Sequence, residues 1–333
     1  MRTLYVSTLL LAAAFNLSGS DLQIFFIDVE GGKATLVVSP LGESLLIDAG
    51  FPGFNGRDAD RIAAAAKLAG ITRIDNLVIT HYHVDHVGGV PQLAARLPIS
   101  NFLDHGPTVD DGTRAQQLYR AYERVAAKGR RIRVQPGDTI PIRGLDVRVV
   151  SAGGAVLASP LAGAGQPNAE CQGVHRDYSG SENAQSVGLL LVYGEFRLLD
   201  LGDLTGDTER QLVCPVNKIG IVAAFVASHH GNDDANSSSL VHAIRPRVAI
   251  MGNGATGGAP RTVQVFRTAP GLEDIWQLHY SLLADMRHNA PGSFIANREE
   301  NCNGRWLKLT AQRDGSFTIY NAGNGFQKTY HPK

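Results

Sequence analysis

Four side chains that can bind a metal ion fall within six residues, in the pattern His-x-His-x-Asp-His from His81 to His86. Imidazole and carboxylate ligands together suit zinc, with iron or manganese as alternatives. The apolar segment 75–80 predicts a buried strand before the pattern, and Gly88 and Gly89 after it permit a tight bend into a helix. We therefore expect a metal site in a loop at one edge of a sheet, rather than a loop that is His-rich by chance.

Two later segments offer the remaining groups of such a site. Leu201-Gly202-Asp203 places a carboxylate in a glycine turn directly after an apolar strand, and Ser228-His229-His230-Gly231 does the same with imidazoles. Asp200 could rival Asp203, but we expect it to stay inside the strand. The sequence has neither a G-x-S-x-G motif nor a Walker A motif. It therefore favours a metal-activated water over a covalent serine or a nucleotide-driven mechanism.

The succession of these motifs resembles the metallo-β-lactamase-fold hydrolases over roughly residues 22–255. Within that superfamily, several segments are similar to the hydrolase domain of ComEC-type competence proteins and, in the same way, to phosphorylcholine esterases of bacterial surfaces. These segments are Phe26-Ile27-Asp28-Val29, Leu46-Ile47-Asp48-Ala49-Gly50, Leu201-Gly202-Asp203 and His229-His230-Gly231. The resemblance implies an α/β fold, a four-layer αββα sandwich of the metallo-β-lactamase type, with a dinuclear metal centre between its halves.

For the first metal ion, the resemblance implies that His81 and His83 are ligands. The family normally adds a His ahead of a later strand, but Asn183 stands at that place here, and ComEC-type sequences share this Asn-x-x-Ser pattern. An amide oxygen is a poorer zinc ligand than imidazole, so one ion or two remains open. His175, in the irregular segment upstream, is a weaker substitute ligand.

For the second metal ion, the resemblance implies that Asp85 and His86 are ligands and that Asp203 bridges the two ions. One of His229 and His230 would complete this site while the other faces the substrate, and the sequence leaves their order open. Asp85 would also be catalytic, because it would orient or deprotonate the attacking water.

Residues outside the ligand set are also candidates. By the same resemblance, Asp48 would orient a ligand His or the motif loop. His279 and Tyr280 follow a late strand and are candidates for lining the pocket, with ordinary core packing as the alternative. His105 follows another strand and could approach the site edge, although a histidine in a turn is the simpler interpretation.

Composition sets wider limits on the function. The 333 residues contain 31 Lys and Arg and 31 Asp and Glu, so the formal net charge is zero. This balance argues against bulk attraction to nucleic acid, although a local basic patch stays open. The first 20 residues combine one Arg, an apolar run from Leu4 to Phe15 and small polar residues, which predicts a signal peptide and a secreted or periplasmic protein. The alternative is a buried first element.

We interpret residues 21–333 as a single domain with a C-terminal extension and without a stable membrane span. Among the three cysteines, Cys171 and Cys302 are candidates for a disulfide in an exported protein, and Cys214 reads as a small buried hydrophobe. At least one cysteine must then be free or intermolecular. The sequence does not indicate the oligomeric state.

Hydrophobic patterning predicts alternating strands and helices along most of the chain. Predicted strands cover 23–29, 34–39, 44–47, 75–80, 101–104, 131–134, 145–150, 187–192, 196–199, 220–227, 247–251, 306–309 and 317–320. Predicted helices cover 57–69, 91–97, 112–128, 237–244 and 261–268. Residues 152–183, rich in Gly, Ala, Ser and Pro, predict a long functional or mobile loop.

The sequence as a whole predicts an exported metallo-hydrolase acting on a phosphodiester, either in nucleic acid or in a small surface phosphoester. The alternatives are a lactam, ester or amide hydrolase of the same fold and a metal-poor binding module without catalysis. Zinc is the expected cofactor, as one or two ions, with Mn²⁺ or Fe²⁺ as substitutes.

Overall fold

The computed structural model describes residues 21–171, 180–299 and 302–332. The predicted signal peptide and His175 lie outside these residues. The described strands are β1 (Leu22–Phe26), β2 (Thr35–Val38), β3 (Ser44–Ile47), β4 (Ile74–Val78), β5 (Ile99–Asp104), β6 (Arg130–Arg133), β7 (Asp146–Ala152), β8 (Ala155–Val156), β9 (Gly188–Tyr193), β10 (Phe196–Asp200), β11 (Ala224–Val226), β12 (Val248–Met251), β13 (Asp274–His279), β14 (Ile295–Asn297), β15 (Leu307–Ala311), β16 (Phe317–Asn321) and β17 (Gln327–Tyr330).

The described α-helices are α1 (Arg57–Leu68), α2 (Val84–Val87), α3 (Val90–Ala94), α4 (Thr113–Ala126), α5 (Gly206–Val213), α6 (Ser238–Ile244) and α7 (Pro260–Thr268). Short 3₁₀ turns follow several strands, including Asn183–Gln185 and Ser228–Gly231. No helix in the described part of the chain combines the length and the apolar character that crossing a membrane requires.

Two sheets contain all of these strands. The first has the order β17-β16-β15-β1-β2-β3-β4-β5-β6, and the second has the order β14-β13-β12-β11-β10-β9-β7-β8. Strands β3 to β6 are parallel to one another, as are β10 to β14. The carboxyl ends of parallel strands share one edge of a sheet, which is where α/β proteins place their functional loops.

Among the described residues, three hydrophobic cores separate four layers. The central core lies between the sheets and includes Ile24 of β1 and Leu189 of β9. One outer core packs the first sheet against α1, α3 and α4, and the other packs the second sheet against α5, α6 and α7. Successive side chains of a strand point to opposite faces, so Phe25 lies in an outer core while Ile24 lies in the central one. The predicted αββα sandwich is confirmed.

Most predicted elements are present, with ends shifted by at most three residues. The predicted strand 220–227 is shorter, because only Ala224–Val226 is hydrogen-bonded in the sheet. Helix α5 was missed since it is short and directs two polar side chains, Thr208 and Glu209, into the interior. The carboxylate of Glu209 accepts hydrogen bonds from the Asn236 and Ser237 amides. An apolar stripe therefore cannot identify this helix.

The chain crosses between the sheets twice. The first sheet contains residues from 22 to 133 and then three strands from 307 to 330, whereas the second lies wholly between 146 and 297. The predicted C-terminal extension therefore completes the first sheet, because β15 pairs antiparallel with β1. The irregular segment 152–183 contains, where it is described, only β8 and the turn at Asn183 as regular elements.

The expected pairing of Cys171 with Cys302 is wrong. Cys171 forms a disulfide with Cys214, the cysteine predicted to be a buried hydrophobe, and Cys302 is free. The bond joins the irregular segment to the end of α5, since Cys214 directly follows that helix. Cys302 instead contacts Asp28 and His279.

A buried ion pair connects the two sheets. The Nζ atom of Lys33, just before β2, lies 2.5 Å from Oδ1 of Asp200 at the end of β10. Their side chains are 8% and 1% exposed. The Lys33 backbone also accepts a hydrogen bond from the Gly50 amide and donates one to the carbonyl of Asp85. Asp200 remains inside its strand as predicted, and its role is to hold this lysine.

We predict that Asp200→Ala destabilises the protein by about 3–5 kcal/mol, because it leaves a buried ammonium group unpaired. Replacing both partners, as in Lys33→Met with Asp200→Leu, restores most of the loss. Urea denaturation measures the free energy of unfolding of both variants. Arg148→Ala, in an exposed pair with Asp146, serves as a control and costs less than about 1 kcal/mol. An equally small cost for Asp200→Ala would show that the buried pair contributes little.

Candidate metal centre

The His-x-His-x-Asp-His pattern lies where β4 leaves the first sheet. His81 and His83 occupy the loop, and α2 begins at Val84, so that Asp85 and His86 lie in its first turn. His81 and His86 are fully buried, whereas the side chain of His83 is 39% exposed. The loop therefore runs from the interior to the surface within a few residues.

Asp48, at the end of β3, holds this loop in place. Its carboxylate accepts hydrogen bonds from the Thr80 amide at 2.8 Å and the Thr80 hydroxyl at 2.7 Å. The same carboxylate lies 2.8 Å from Nδ1 of His86. An N–H at Nδ1 leaves Nε2 of His86 as the free ligand nitrogen. The contacts thus match those required by the orienting role that the resemblance implies for Asp48.

Asp203 lies at the centre of the histidines. Its Oδ2 atom is 3.1 Å from Nε2 of His86 and 3.3 Å from Nε2 of His230. The Nε2 atoms of His81 and His229 are each 3.8 Å from the same oxygen. Asp203 follows β10 and belongs to the second sheet, so its carboxylate joins groups from both halves of the fold. This position is the one that a bridging ligand requires.

Four residues place ligand atoms within 4.8 Å of one another: Asp85, His86, Asp203 and His230. The Nε2 atom of His230 is 3.2 Å from Oδ2 of Asp85 and 3.1 Å from Nε2 of His86. Of the pair that the sequence left open, His230 therefore lies in the group. His229 instead points its Nδ1 at Asp234, at 2.7 Å.

The residues expected at the first ion contribute buried polar atoms without a hydrogen-bond partner. In the described part of the chain, these are Nε2 of His81, Oδ1 of Asn183 and Oδ1 of Asp203. Leaving such atoms unsatisfied costs free energy, so they are expected to have a partner when the protein functions. A divalent cation supplies one, and the donor set of imidazole, carboxylate and amide oxygen suits it. The residues fit a metal centre.

The other residues expected at the first ion, His83 and Asn183, have longer contacts. His83 stacks edge-on against His81, with ring centroids 4.6 Å apart, and its Nε2 lies 3.6 Å from Oδ2 of Asp110. The side-chain amide of Asn183 lies 3.4 Å from Nε2 of His229. Asp110 was not singled out by the sequence, since nothing in its local pattern distinguishes it from a surface acid.

Oppositely charged side chains among these four residues stabilise one another in their charged forms. Burial disfavours a charged Asp203, but His230 and His86 hold the pKa of its carboxyl well below the usual range. Burial likewise opposes a charged Asp85, yet the same two histidines lower the pKa of its carboxyl. For His230, Asp203 and Asp85 outweigh burial and raise the pKa to about 9. Both aspartates are therefore carboxylates, the form that binds a cation.

Burial and the neighbouring His86 lower the pKa of His81 well below its usual value. A neutral imidazole has a free lone pair, so His81 is already in the form that ligates a metal ion.

Glycine and strained residues allow the loops to meet. Gly202 has a positive φ of 60°, and a Cβ at this position would lie 2.8 Å from Cβ of Thr80. Asp48, His229 and His230 also have positive φ, at 61°, 49° and 53°. Such conformations are uncommon for residues with a side chain and cluster at functional sites.

Glu182 is a positioning residue that the sequence analysis missed. Its buried carboxylate accepts a hydrogen bond from the Tyr82 amide, between His81 and His83, and lies 3.0 Å from Nε2 of His105. It also accepts a hydrogen bond from the Val109 amide. His105 therefore contacts the metal loop through Glu182 and through the ring of Tyr82, whose centroid is 4.8 Å from that of His105. A lone Glu beside Asn183 gives no signal of this function in the sequence.

His279 and Tyr280, the expected pocket residues, have contacts of their own. His279 is buried and contacts Asp28 and Cys302, in a group that shares no residue with the four around Asp203. Tyr280 is partly buried and packs against the outer core of the second sheet. For Tyr280, the alternative of ordinary packing fits the structure better.

The surroundings of the centre differ between its interior and its surface. A cavity of about 20 Å³ beneath Asp203 and His230 lies between the sheets and also contacts Lys33. It has room for about one water molecule. In contrast, His83 and His229 have side chains that are 39% and 21% exposed. Among the described residues, these two histidines are therefore the part of the centre that solvent reaches.

Comparisons with known proteins agree with this geometry. The family model described as "Metallo-beta-lactamase superfamily" matches residues 27–165. A hydroxyacylglutathione hydrolase of Stenotrophomonas maltophilia is 31% identical over 102 residues, which cover 28% of this chain and 37% of that protein. Recombination protein 2 of Haemophilus influenzae is 25% identical over 240 residues, covering 72% and 25% of the two chains.

A metal-dependent hydrolase of Aeropyrum pernix is 26% identical over 179 residues, covering 53% of this chain and 64% of that one. The chain thus spans less than two thirds of each of these three relatives. The similarity to recombination protein 2 gives limited support to the resemblance to ComEC-type competence proteins. The likeness to the metallo-β-lactamase superfamily as a whole rests on the family model. Residues 27–165 therefore match a metallo-β-lactamase superfamily domain, as the motifs predict.

Proposed function

We propose that this protein is a metal-dependent hydrolase that cleaves a phosphodiester with a metal-activated water. One observation carries the proposal: Asp85, His86, Asp203 and His230 bring their ligand atoms within 4.8 Å of one another at the meeting point of the two sheets. The similarity to proteins named as hydrolases supports the same class of reaction.

The proposed ligand set divides between two positions, with zinc as the proposed metal. His81, His83 and Asn183 would hold one ion, and Asp85, His86 and His230 the other, with Asp203 shared between them. A bound divalent cation lowers the pKa of a water molecule from about 15.7 toward 7, which makes it a nucleophile at neutral pH. Because Asn183 is the weakest of these ligands, the first position is the one more easily left empty.

The protein's own side chains orient the reactants. Asp85 is a carboxylate with a 21% exposed side chain, so it can accept a hydrogen bond from the attacking water. Asp234 holds Nδ1 of His229, which directs Nε2 of that ring toward Asp203 and the solvent-exposed part of the centre. His229 is thus placed to contact the substrate. Asp48 and Glu182 do not touch the substrate and act by positioning the metal loop.

A phosphodiester is the proposed substrate class because the similarity to recombination protein 2 covers the larger part of this chain, 72%. The zero formal net charge favours a small phosphodiester or a short single strand over long DNA. The second candidate is a thioester, since the hydroxyacylglutathione hydrolase has 31% identity, although over only 28% of the chain.

A substrate panel tests this proposal. Bis-nitrophenyl phosphate, nitrophenylphosphorylcholine, single-stranded DNA, a hydroxyacylglutathione and nitrocefin are each incubated with the purified protein, with zinc and with manganese. We expect hydrolysis of a phosphodiester and none of nitrocefin. Hydrolysis of the thioester alone would transfer the proposal to the second candidate, and no turnover with full metal content would favour a binding module.

We predict that Asp203→Ala and His230→Ala each lose bound metal and at least about 100-fold in kcat, because each removes a ligand or a bridging group. Metal content is measured by mass spectrometry of the protein after dialysis, and kcat with the best substrate of the panel. His288→Ala, on a partly exposed turn, is the control and leaves both unchanged. Wild-type metal content and rate in both variants would contradict the proposed centre.

A second prediction concerns Asp48. Asp48→Asn keeps the size of the side chain but removes the carboxylate that holds His86 and Thr80. We expect metal affinity or turnover to fall by about 10- to 100-fold. Zinc affinity is measured by competition with a chromophoric chelator. Asp60→Asn, on the exposed face of α1, provides a matched control, and equal affinities for the two variants would remove Asp48 from the proposed mechanism.

The proposed hydrolase is exported. The Cys171–Cys214 disulfide supports this location, because disulfides persist mainly in oxidising compartments. The pattern of the first 20 residues fits a signal peptide. Intact mass and thiol counting of the protein from fractionated cells test the proposal. We expect a shortened chain outside the cytoplasm with one free thiol, Cys302; a full-length chain with three thiols in the cytoplasm would contradict export.

A further inference from the structure

A second cluster of metal-binding side chains lies apart from the centre around Asp203. It consists of Asp28, just after β1 in the first sheet, His279, at the end of β13 in the second sheet, and Cys302, between β14 and β15. Asp28 and His279 are 1% and 2% exposed, and Cys302 is half-buried. The proposed hydrolytic mechanism uses none of these three residues.

The three ligand atoms converge on one point. Sγ of Cys302 is 3.0 Å from Oδ2 of Asp28 and 3.2 Å from Nε2 of His279. Oδ2 of Asp28 and Nε2 of His279 are 3.8 Å apart. Ligands placed about 2.0–2.3 Å from a tetrahedral zinc ion lie at roughly such separations from one another. Three segments distant in sequence thus present one thiol, one imidazole and one carboxylate to a common centre.

The geometry differs from that of a cysteine nucleophile. In a catalytic triad, the nucleophile and the acid contact the two different nitrogens of the imidazole. Here both Cys302 and Asp28 face the same nitrogen, Nε2 of His279.

The charges of the cluster suit a divalent cation. One thiolate and one carboxylate balance the two positive charges of zinc, with His279 neutral. Arg61 lies nearby, with Nη1 3.5 Å from Oδ2 of Asp28, and would repel a cation. Glu30 offsets this repulsion, because Oε1 of Glu30 pairs with the Arg61 guanidinium at 2.9 Å.

We propose that Asp28, His279 and Cys302 form a separate zinc site. Cysteine, histidine and aspartate are the ligand types that zinc selects. The ion would link the end of β1 to the end of β13, and so join the two sheets through a contact independent of the hydrolytic centre. Three protein ligands leave a fourth position for water.

Cobalt substitution tests this site directly. A thiolate ligand gives cobalt a charge-transfer band in the near ultraviolet, and the proposed hydrolytic centre contains no cysteine that could produce it. The full chain is stripped of metal with a chelator and titrated with Co²⁺. We expect this band in the wild-type protein. In Cys302→Ser it is lost, together with about one cobalt ion per chain.

Three further variants make the result specific. His230→Ala keeps the band, since it alters only the hydrolytic centre, and the double variant Cys171→Ser with Cys214→Ser keeps it because Cys302 remains. Asp28→Asn weakens cobalt binding at the site without removing the sulfur. As a second readout, zinc slows alkylation of Cys302 in the wild-type protein and in His230→Ala.

The proposal is overturned by a cobalt-loaded wild-type protein without the band, or by a band that persists in Cys302→Ser. Loss of the band in His230→Ala would also contradict a separate site, because the thiol would then belong to the hydrolytic centre. None of these outcomes depends on hydrolytic activity, so the two proposals succeed or fail separately.

Discussion

The ion pair between Lys33 and Asp200 is the contact on which the arrangement of the metal loops depends. It connects the two sheets directly beside the metal centre, and both side chains are buried. The Lys33 amide donates a hydrogen bond to the carbonyl of Asp85 in the first turn of α2. Oδ1 of Asp200 accepts a hydrogen bond from the Gly202 amide, one residue before Asp203. The candidate ligands that follow the first sheet and the Asp203 carboxylate that follows β10 are thus fixed relative to one another.

The meeting point of the two sheets around the metal loops contains several features that usually cost a protein free energy. Charged groups are buried, positive φ angles occur at Asp48, His229 and His230, and several polar atoms have no hydrogen-bond partner among the described residues. Neighbours offset part of these costs: imidazoles face carboxylates, and Gly202 allows its loop to approach Thr80 closely. A rigid sandwich with cores on both faces of each sheet can hold such a site, because the strand ends have little freedom to relax.

Local patterns predicted much of the fold and the candidate site. Strands and helices with clear apolar patterns, such as β9 and α4, were predicted correctly. Their apolar residues recur at the positions that face the core, so the pattern is visible in the sequence. Helix α5 and the polar strand β17 were missed because propensity and apolar periodicity carry little signal there. The disulfide was misassigned since cysteine spacing does not determine which sulfur atoms meet in space.

The sequence by itself determined the type of chemistry, because the dense His and Asp pattern from His81 to His86 is a local property of the chain. It also indicated that Asp203 and the pair His229-His230 supply the other half. Only the tertiary structure placed His230 rather than His229 in the ligand group and identified Glu182 and Lys33 as supports. It also brought Asp28, His279 and Cys302 together. The physical reason is that these contacts join residues up to 274 positions apart, and their geometry depends on how the two sheets pack.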